Sequence, residues 1–157
     1  MGYPIQAQEV YEQFKDHFDK KNFHYETIDD KLVIKLTVHG EDLPQPTIVH
    51  VDEDRGVVQI LSPIPARMPE EKRTEAAIAV AAANYGLVTG SFDLDLSDGE
   101  IRYRATHAFR DGEMTEDMVE YMLKVVFFTT DKYNDKFFAL AKNMMTLEQF
   151  LEFENNQ

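Results

Sequence analysis

Five histidines, His17, His24, His39, His50 and His107, are the first residues in this chain that could do chemistry. An imidazole can ligate a metal or move a proton near neutral pH. Their spacing matches no His-Glu-x-x-His pattern or other ligand signature. His24, His39 and His50 fall on or beside expected strands and could converge. A three-ligand site needs supporting partners for its imidazoles, and nothing here suggests them. Ordinary surface or boundary positions are the favoured account of these histidines. Ser62, Ser91 and Ser97 lack a nucleophile elbow, and Ser91 in Gly-Ser-Phe reads as the start of a strand. Gly86 and Gly90 fit neither the Walker phosphate loop nor the dinucleotide fingerprint. Asp93 and Asp95 share one face at strand spacing and could bind a cation. Arginines expected opposite them favour a structural role. Met118, Met122, Met144 and Met145 could form an adaptable peptide-binding surface, or simply fill a core at helical spacing. The chain has no cysteine, which removes thiolate metal sites and disulfides. On these residues no catalytic, cofactor-binding or metal-binding position is assigned, and no cofactor is expected.

The elements that must hold these residues come from a chain of 157 residues, a length suited to one domain spanning 1–157. A hydrophobic content of 43% is enough to form a core rather than a disordered chain. No apolar run approaches the roughly 20 residues that cross a bilayer, Ala76 to Ala83 being short and mostly alanine. The start at Met1 has no basic segment leading into an apolar one, so no secretory signal is expected. Gln6 stands where myristoylation wants Ser or Thr. A net charge of −13 repels nucleic-acid phosphates and anionic membranes, so neither is an expected partner. It gives solubility, or a preference for basic partners. A cysteine-free chain is compatible with a reducing cytosol.

A first helix is expected over Ala7 to Lys21, with Val10, Phe14 and Phe18 on one stripe and Asn22 as its stop. Extended segments follow over Phe23 to Ile28 and Lys31 to Val38, with Asp29-Asp30 as the turn. Gly40 to Pro46 reads as a short linker-like piece. Thr47 to Val51 and Val57 to Ile64 form a second strand pair. Pro63, Pro65 and Pro69 are expected to stop the latter strand. A second helix, rich in alanine, runs from about Pro69 to Tyr85 and should lie close to the sheet. Gly86 is the expected left-handed cap.

Phe92, Leu94 and Leu96 alternate with Asp93 and Asp95, then Asp98-Gly99 leads to Ile101, Tyr103 and Ala105 alternating with Arg102 and Arg104. Asp-Gly is a strong two-residue hairpin signal. That loop predicts Leu96 opposite Ile101, Asp95 opposite Arg102 and Asp93 opposite Arg104. Asp111-Gly112 reads as a turn. Thr115 is the expected N-cap of a third helix carrying Met118, Met122, Val125 and Val126 inward. A break is expected near Thr129-Thr130-Asp131. Tyr133, Phe137, Leu140 and Met144 continue at helical spacing. A last short helix over Leu147 to Phe153 belongs to a tail expected to fray from about residue 146.

The order α-ββ-ββ-α-ββ-α predicts an α+β, two-layer domain: a mostly antiparallel sheet with helices packed on one face. The run Gly90-Ser-Phe-Asp-Leu-Asp95, the run Asp98-Gly-Glu-Ile-Arg-Tyr-Arg104, Thr115-Glu-Asp-Met-Val, Asp131-Lys-Tyr and the alanine-rich helix ending at Asn84 resemble the YbjN-domain family from Thr47 onward. The first 45 residues match mainly in element order. Members are labelled bacterial sensory transduction regulators. The resemblance implies a type III secretion chaperone-like fold, a bacterial cytoplasmic setting and no known cofactor, and it supplies no catalytic residues. The expected function is a non-enzymatic binding or regulatory module engaging a protein or peptide partner, at a sheet edge or a helix–sheet groove. A homodimer through the third helix or the sheet is a further expectation. The alternatives are an enzyme with a cryptic carboxylate or histidine site, and a small-ligand sensor with an enclosed apolar cavity.

Overall fold

The structure is a computed structural model describing residues 2–110, 112 and 114–157. The chain start at Met1 and the Asp111 half of the expected Asp111-Gly112 turn lie outside the described residues. Helix α1 (Pro4–Lys20) opens on a proline in its first turn, where a missing N–H costs nothing. It buries Val10, Tyr11, Phe14 and Phe18. Asn22, at φ 58°, turns the chain out of the helix.

Six strands form one wholly antiparallel sheet: β1 (Glu26–Ile28), β2 (Val33–His39), β3 (Pro44–Asp52), β4 (Val57–Arg67), β5 (Ser91–Leu94) and β6 (Glu100–Ala108). Their spatial order is β1-β2-β3-β4-β6-β5. The core side carries Ile34, Leu36, Val49, Val51, Val58, Ile60, Ile101 and Tyr103, all buried. Helices α1, α2 (Arg73–Tyr85), α3 (Glu116–Ala141) and α4 (Leu147–Asn155) complete the two-layer α+β fold.

Several boundaries differ from those the sequence predicts. The piece Gly40 to Pro46 is not a linker: β3 already begins at Pro44. Over residues 44–47 β3 pairs with β2 alone, and pairing with β4 starts only at Ile48. A proline lacks the N–H for a second neighbour, so it is tolerated where one side of the strand is free. The free carbonyl of Pro46 accepts a bond from Ser62 Oγ at 2.9 Å. Pro63 and Pro65 do not end β4 for the same reason. The strand continues to Arg67, with a register shift against β6 between Pro63 and Arg67 and no β3 partner beyond Leu61. Gly86 is not left-handed; its φ is −92°.

The β5–β6 hairpin has the expected faces but another register. Phe92 lies opposite Tyr103, Asp93 opposite Arg102 and Leu94 opposite Ile101. Asp95 closes the loop by donating its N–H to Glu100 O at 2.9 Å and accepting Gly99 N–H at 2.7 Å. The Asp95 carboxylate accepts Ser97 N–H at 2.8 Å and Ser97 Oγ–H at 2.6 Å, so it folds into the turn rather than facing Arg102. The slip is two residues, which preserves which side each residue faces. Gly99, at φ 80°, is required because a Cβ there would run into the Met68 backbone.

The expected break in α3 is absent, and the helix runs unbroken from Glu116 to Ala141. Thr115 caps it, accepting Met118 N–H at 3.1 Å. Thr130 turns inward and is buried. Asp131 caps a different segment: its Oδ1 accepts Glu41 N–H at 2.9 Å and Gln45 Nε2 at 3.3 Å, tying α3 to the β2–β3 turn. Helix α4 begins with a capping box of Thr146 and Gln149, and its Phe150 is fully buried against Phe137 and Tyr133.

Candidate functional site at the sheet edge

An open antiparallel sheet has two edge strands whose backbone groups need partners. The β5 edge is blocked from within at Phe92. Asn84, at the end of α2, donates its Nδ2 to Phe92 O at 3.0 Å and accepts Phe92 N–H on Oδ1 at 2.7 Å. A side-chain amide here does what a neighbouring peptide would. The residue stands out in sequence only as the last polar position before Tyr85 and gives no hint of this role.

The opposite edge is built differently. β1 pairs with β2 only at Val33, Ile34 and Lys35. Among the described residues no strand lies beside the outer side of Leu36 to His39. The chain before β1 is pulled off β2 by aromatic packing on α1. Phe23 and Tyr25 sit 5.9 and 5.7 Å from the Phe18 ring. Tyr25 also donates its hydroxyl to Asp19 at 2.7 Å, which pushes the phenol pKa up to about 12 and keeps it a donor. Between this diverging segment and the strands lies an open groove of about 490 Å³, lined by His24, Tyr25, Lys35, Thr37, Pro46 and Ile48 among others. Its lining mixes apolar Leu36, Pro46 and Ile48 with polar His24, Lys35 and Thr37. A strand laid there would meet free backbone groups of β2 and a groove for alternate side chains.

The other sequence candidates are dispersed or already occupied. His24 lines the groove, whereas His50 lies opposite Val33 on the solvent face of the sheet. His39 is six residues further along β2, about 20 Å at strand rise. The three do not converge. Among the described residues no three His, Asp or Glu side chains are grouped to hold a metal. His17, on α1, is buried, and burial holds its pKa below the usual histidine value, with Lys21 adding to the effect. His107 sits on β6 opposite Val58.

Asp93 is held by two arginines: Arg104 Nε and Nη2 at 2.9 and 3.2 Å, and Arg102 Nε at 3.4 Å. Asp95 has its pKa lowered by the two Ser97 bonds of the turn. Asp98 pairs with Arg67 and accepts Glu100 N–H at 2.9 Å. These carboxylates stabilise the hairpin through bonds within it and to Arg67. Ser62 and Ser97 likewise spend their hydroxyls on internal bonds. The methionines separate: Met122 is buried, Met118 and Met145 are partly buried, and Met144 is 72% exposed. They make no common surface. No helix is long and apolar enough to cross a membrane among the described residues.

No curated protein matches the chain. The crystal structure of YbjN from E. coli superposes with a TM-score of 0.60 at 10% identity, covering 78% of this chain and 87% of that one. A chain of the ExsC–ExsE complex superposes with a TM-score of 0.57 at 10% identity, covering 82% and 93%. At such identity both likenesses speak for the fold alone. The profile of the YbjN family, described as "putative bacterial sensory transduction regulator", matches residues 7–139. With nearly all of α1 through α3 inside that match, this chain belongs to the YbjN family.

Proposed function

We propose that this chain is a single-domain, non-enzymatic binding module of the bacterial cytoplasm that takes an extended segment of a protein partner along the outer edge of β2. The observation that carries the reading is the contrast between the two sheet edges. One is blocked at Phe92 by Asn84, and the other leaves Leu36 to His39 without a strand beside a groove. Proteins protect such edges unless pairing is wanted. A chain of the same fold has been crystallised in the ExsC–ExsE complex, which is in keeping with protein binding. The engagement of Asp93, Asp95, Asp98, Ser62 and Ser97 in internal bonds favours this reading over an enzyme. Affinity recovery from the native host, followed by mapping of the recovered segment, tests it. A partner segment that cross-links to Leu36–His39 supports the reading. Recovery of this chain alone, together with turnover of a metabolite, overturns it.

A further inference from the structure

The binding edge stands at the tip of a two-stranded ribbon. Over residues 44–47 β3 pairs with β2, and among the described residues it gains its β4 partner only at Ile48. A two-stranded ribbon is marginally stable by itself and twists more than strands inside a sheet. Burial of Leu36 holds part of it, and Ser62 Oγ donates to Pro46 O near its base at 2.9 Å.

The hydrogen-bond pattern of the ribbon says which groups a partner meets. Val51 donates its N–H to Leu32 O at 3.0 Å, so Val33 and His50 form a non-hydrogen-bonded pair. Alternation then turns the N–H and C=O of Thr37 and His39 away from β3, toward the open side. Pro46 and Pro44 stand opposite them and have no N–H to offer, as that pattern allows. An edge that must first be ordered by its partner loses affinity to that ordering, so these groups need to be held beforehand.

Two residues past His39 the chain meets Asp131 of α3. Its Oδ1 accepts Glu41 N–H at 2.9 Å and Gln45 Nε2 at 3.3 Å. Gln45 is 1% exposed, so without that acceptor a buried amide loses its partner. Gly40 lies against the same carboxylate, and a Cβ there would overlap Asp131 Oδ1. Its φ is not positive, so the close approach alone accounts for the glycine. We propose that Asp131 is a positioning residue for the β2 edge, holding the ribbon tip from α3 in the shape with which a partner strand pairs. This rests on the reading of that edge as a binding site.

The probe is an extended peptide selected from a random library on the wild-type protein and cross-linked to Leu36–His39. Asp131→Ala should weaken its binding about tenfold, as expected if the tip then holds the binding shape about a tenth of the time. Asp131→Asn keeps an acceptor and should bind as wild type does. Gly40→Ala displaces the carboxylate from the other side and should match Asp131→Ala. The double variant should bind no more weakly than either single one, because both break one contact. Thr146→Ala, which removes the cap of α4 and lowers stability elsewhere, should leave binding unchanged. Equal binding by Asp131→Ala and wild type, no rescue by Asp131→Asn, additive losses in the double variant, or the same loss in Thr146→Ala overturns the proposal. Where the peptide still cross-links at Leu36–His39 in those cases, the binding edge itself stands. Failure of every selected peptide to cross-link there overturns both.

Discussion

Asn84 shows how one side chain decides what a sheet edge can do. Its amide satisfies both backbone groups of Phe92, and part-buried groups left without partners cost about 1–3 kcal/mol. Asn84→Ala should lower unfolding stability by about 2 kcal/mol in urea, and Asn84→Asp, which keeps the acceptor for Phe92 N–H but sets a carboxylate oxygen against Phe92 O, should not restore it. Equal stability of wild type and Asn84→Ala would show that the seal contributes nothing. Thr130 illustrates the reverse. Its hydroxyl is buried in α3 and has no bonding partner among the described residues. Thr130→Val keeps the shape and removes the unpaired group, so it should raise stability by about 1 kcal/mol. A loss on that substitution would mean the hydroxyl is bonded in solution. Residue-scale reasoning from sequence fails at such positions. The partner of Asn84 lies eight residues away across a helix–sheet contact. Asp131 reads as a helix capper and instead reaches Glu41, ninety residues back.

At the scale of elements, much was legible. The strands, the face each residue occupies, the Thr115 cap and the stop at Asn22 follow from alternation and local hydrogen bonding. What was illegible has physical causes. An alternating pattern repeats every two residues, so it cannot distinguish a hairpin register from one slipped by two. The turn decides, and Asp95 bonding Ser97 made a longer loop than Asp98-Gly99 alone predicts. Prolines in β3 and β4 read as stops because the sequence does not say which side of a strand is free. Thr129 and Thr130 favour a break locally, but a long α3 packed across the sheet overrides propensity. The groove itself depends on strand order, a non-local property that leaves β2 near an edge and puts β6 inside. The last helix rests on Phe150, which is fully buried among Tyr133, Phe137 and Phe153. Phe150→Ala should cost about 3–5 kcal/mol in urea unfolding. A loss below about 1 kcal/mol would mean that α4 does not dock in solution.

For the whole molecule, ionisation sets the limits of stability. Asp52, Asp95 and Asp98 have lowered pKa values, chiefly through backbone and side-chain N–H and O–H donors. Their folded forms bind protons less readily than the unfolded chain, so the stability they add is present above about pH 4 and is lost as pH falls through the folded values. The tyrosines act oppositely. Tyr25 is raised to about 12 by its bond to Asp19, and Tyr11 and Tyr133 are raised by burial and by bonds to Asp29 and Glu154. The folded state holds these protons longer, so stability is full below about pH 10 and falls as pH rises toward the folded value. Urea midpoints should therefore decline below about pH 4 and above about pH 10. A midpoint unchanged between pH 10 and 12 would contradict the alkaline limb.

The proposed recognition is also a property of the whole sheet, since strand order puts Leu36 to His39 on an outer side. Amide hydrogen exchange, measured with and without a bound extended peptide selected from a random library, examines that edge residue by residue. Leu36 to His39 should exchange markedly more slowly when the peptide is bound, while β5 is unaffected. Slowing confined to β5 or the helices, with Leu36 to His39 exchanging as before, would contradict it.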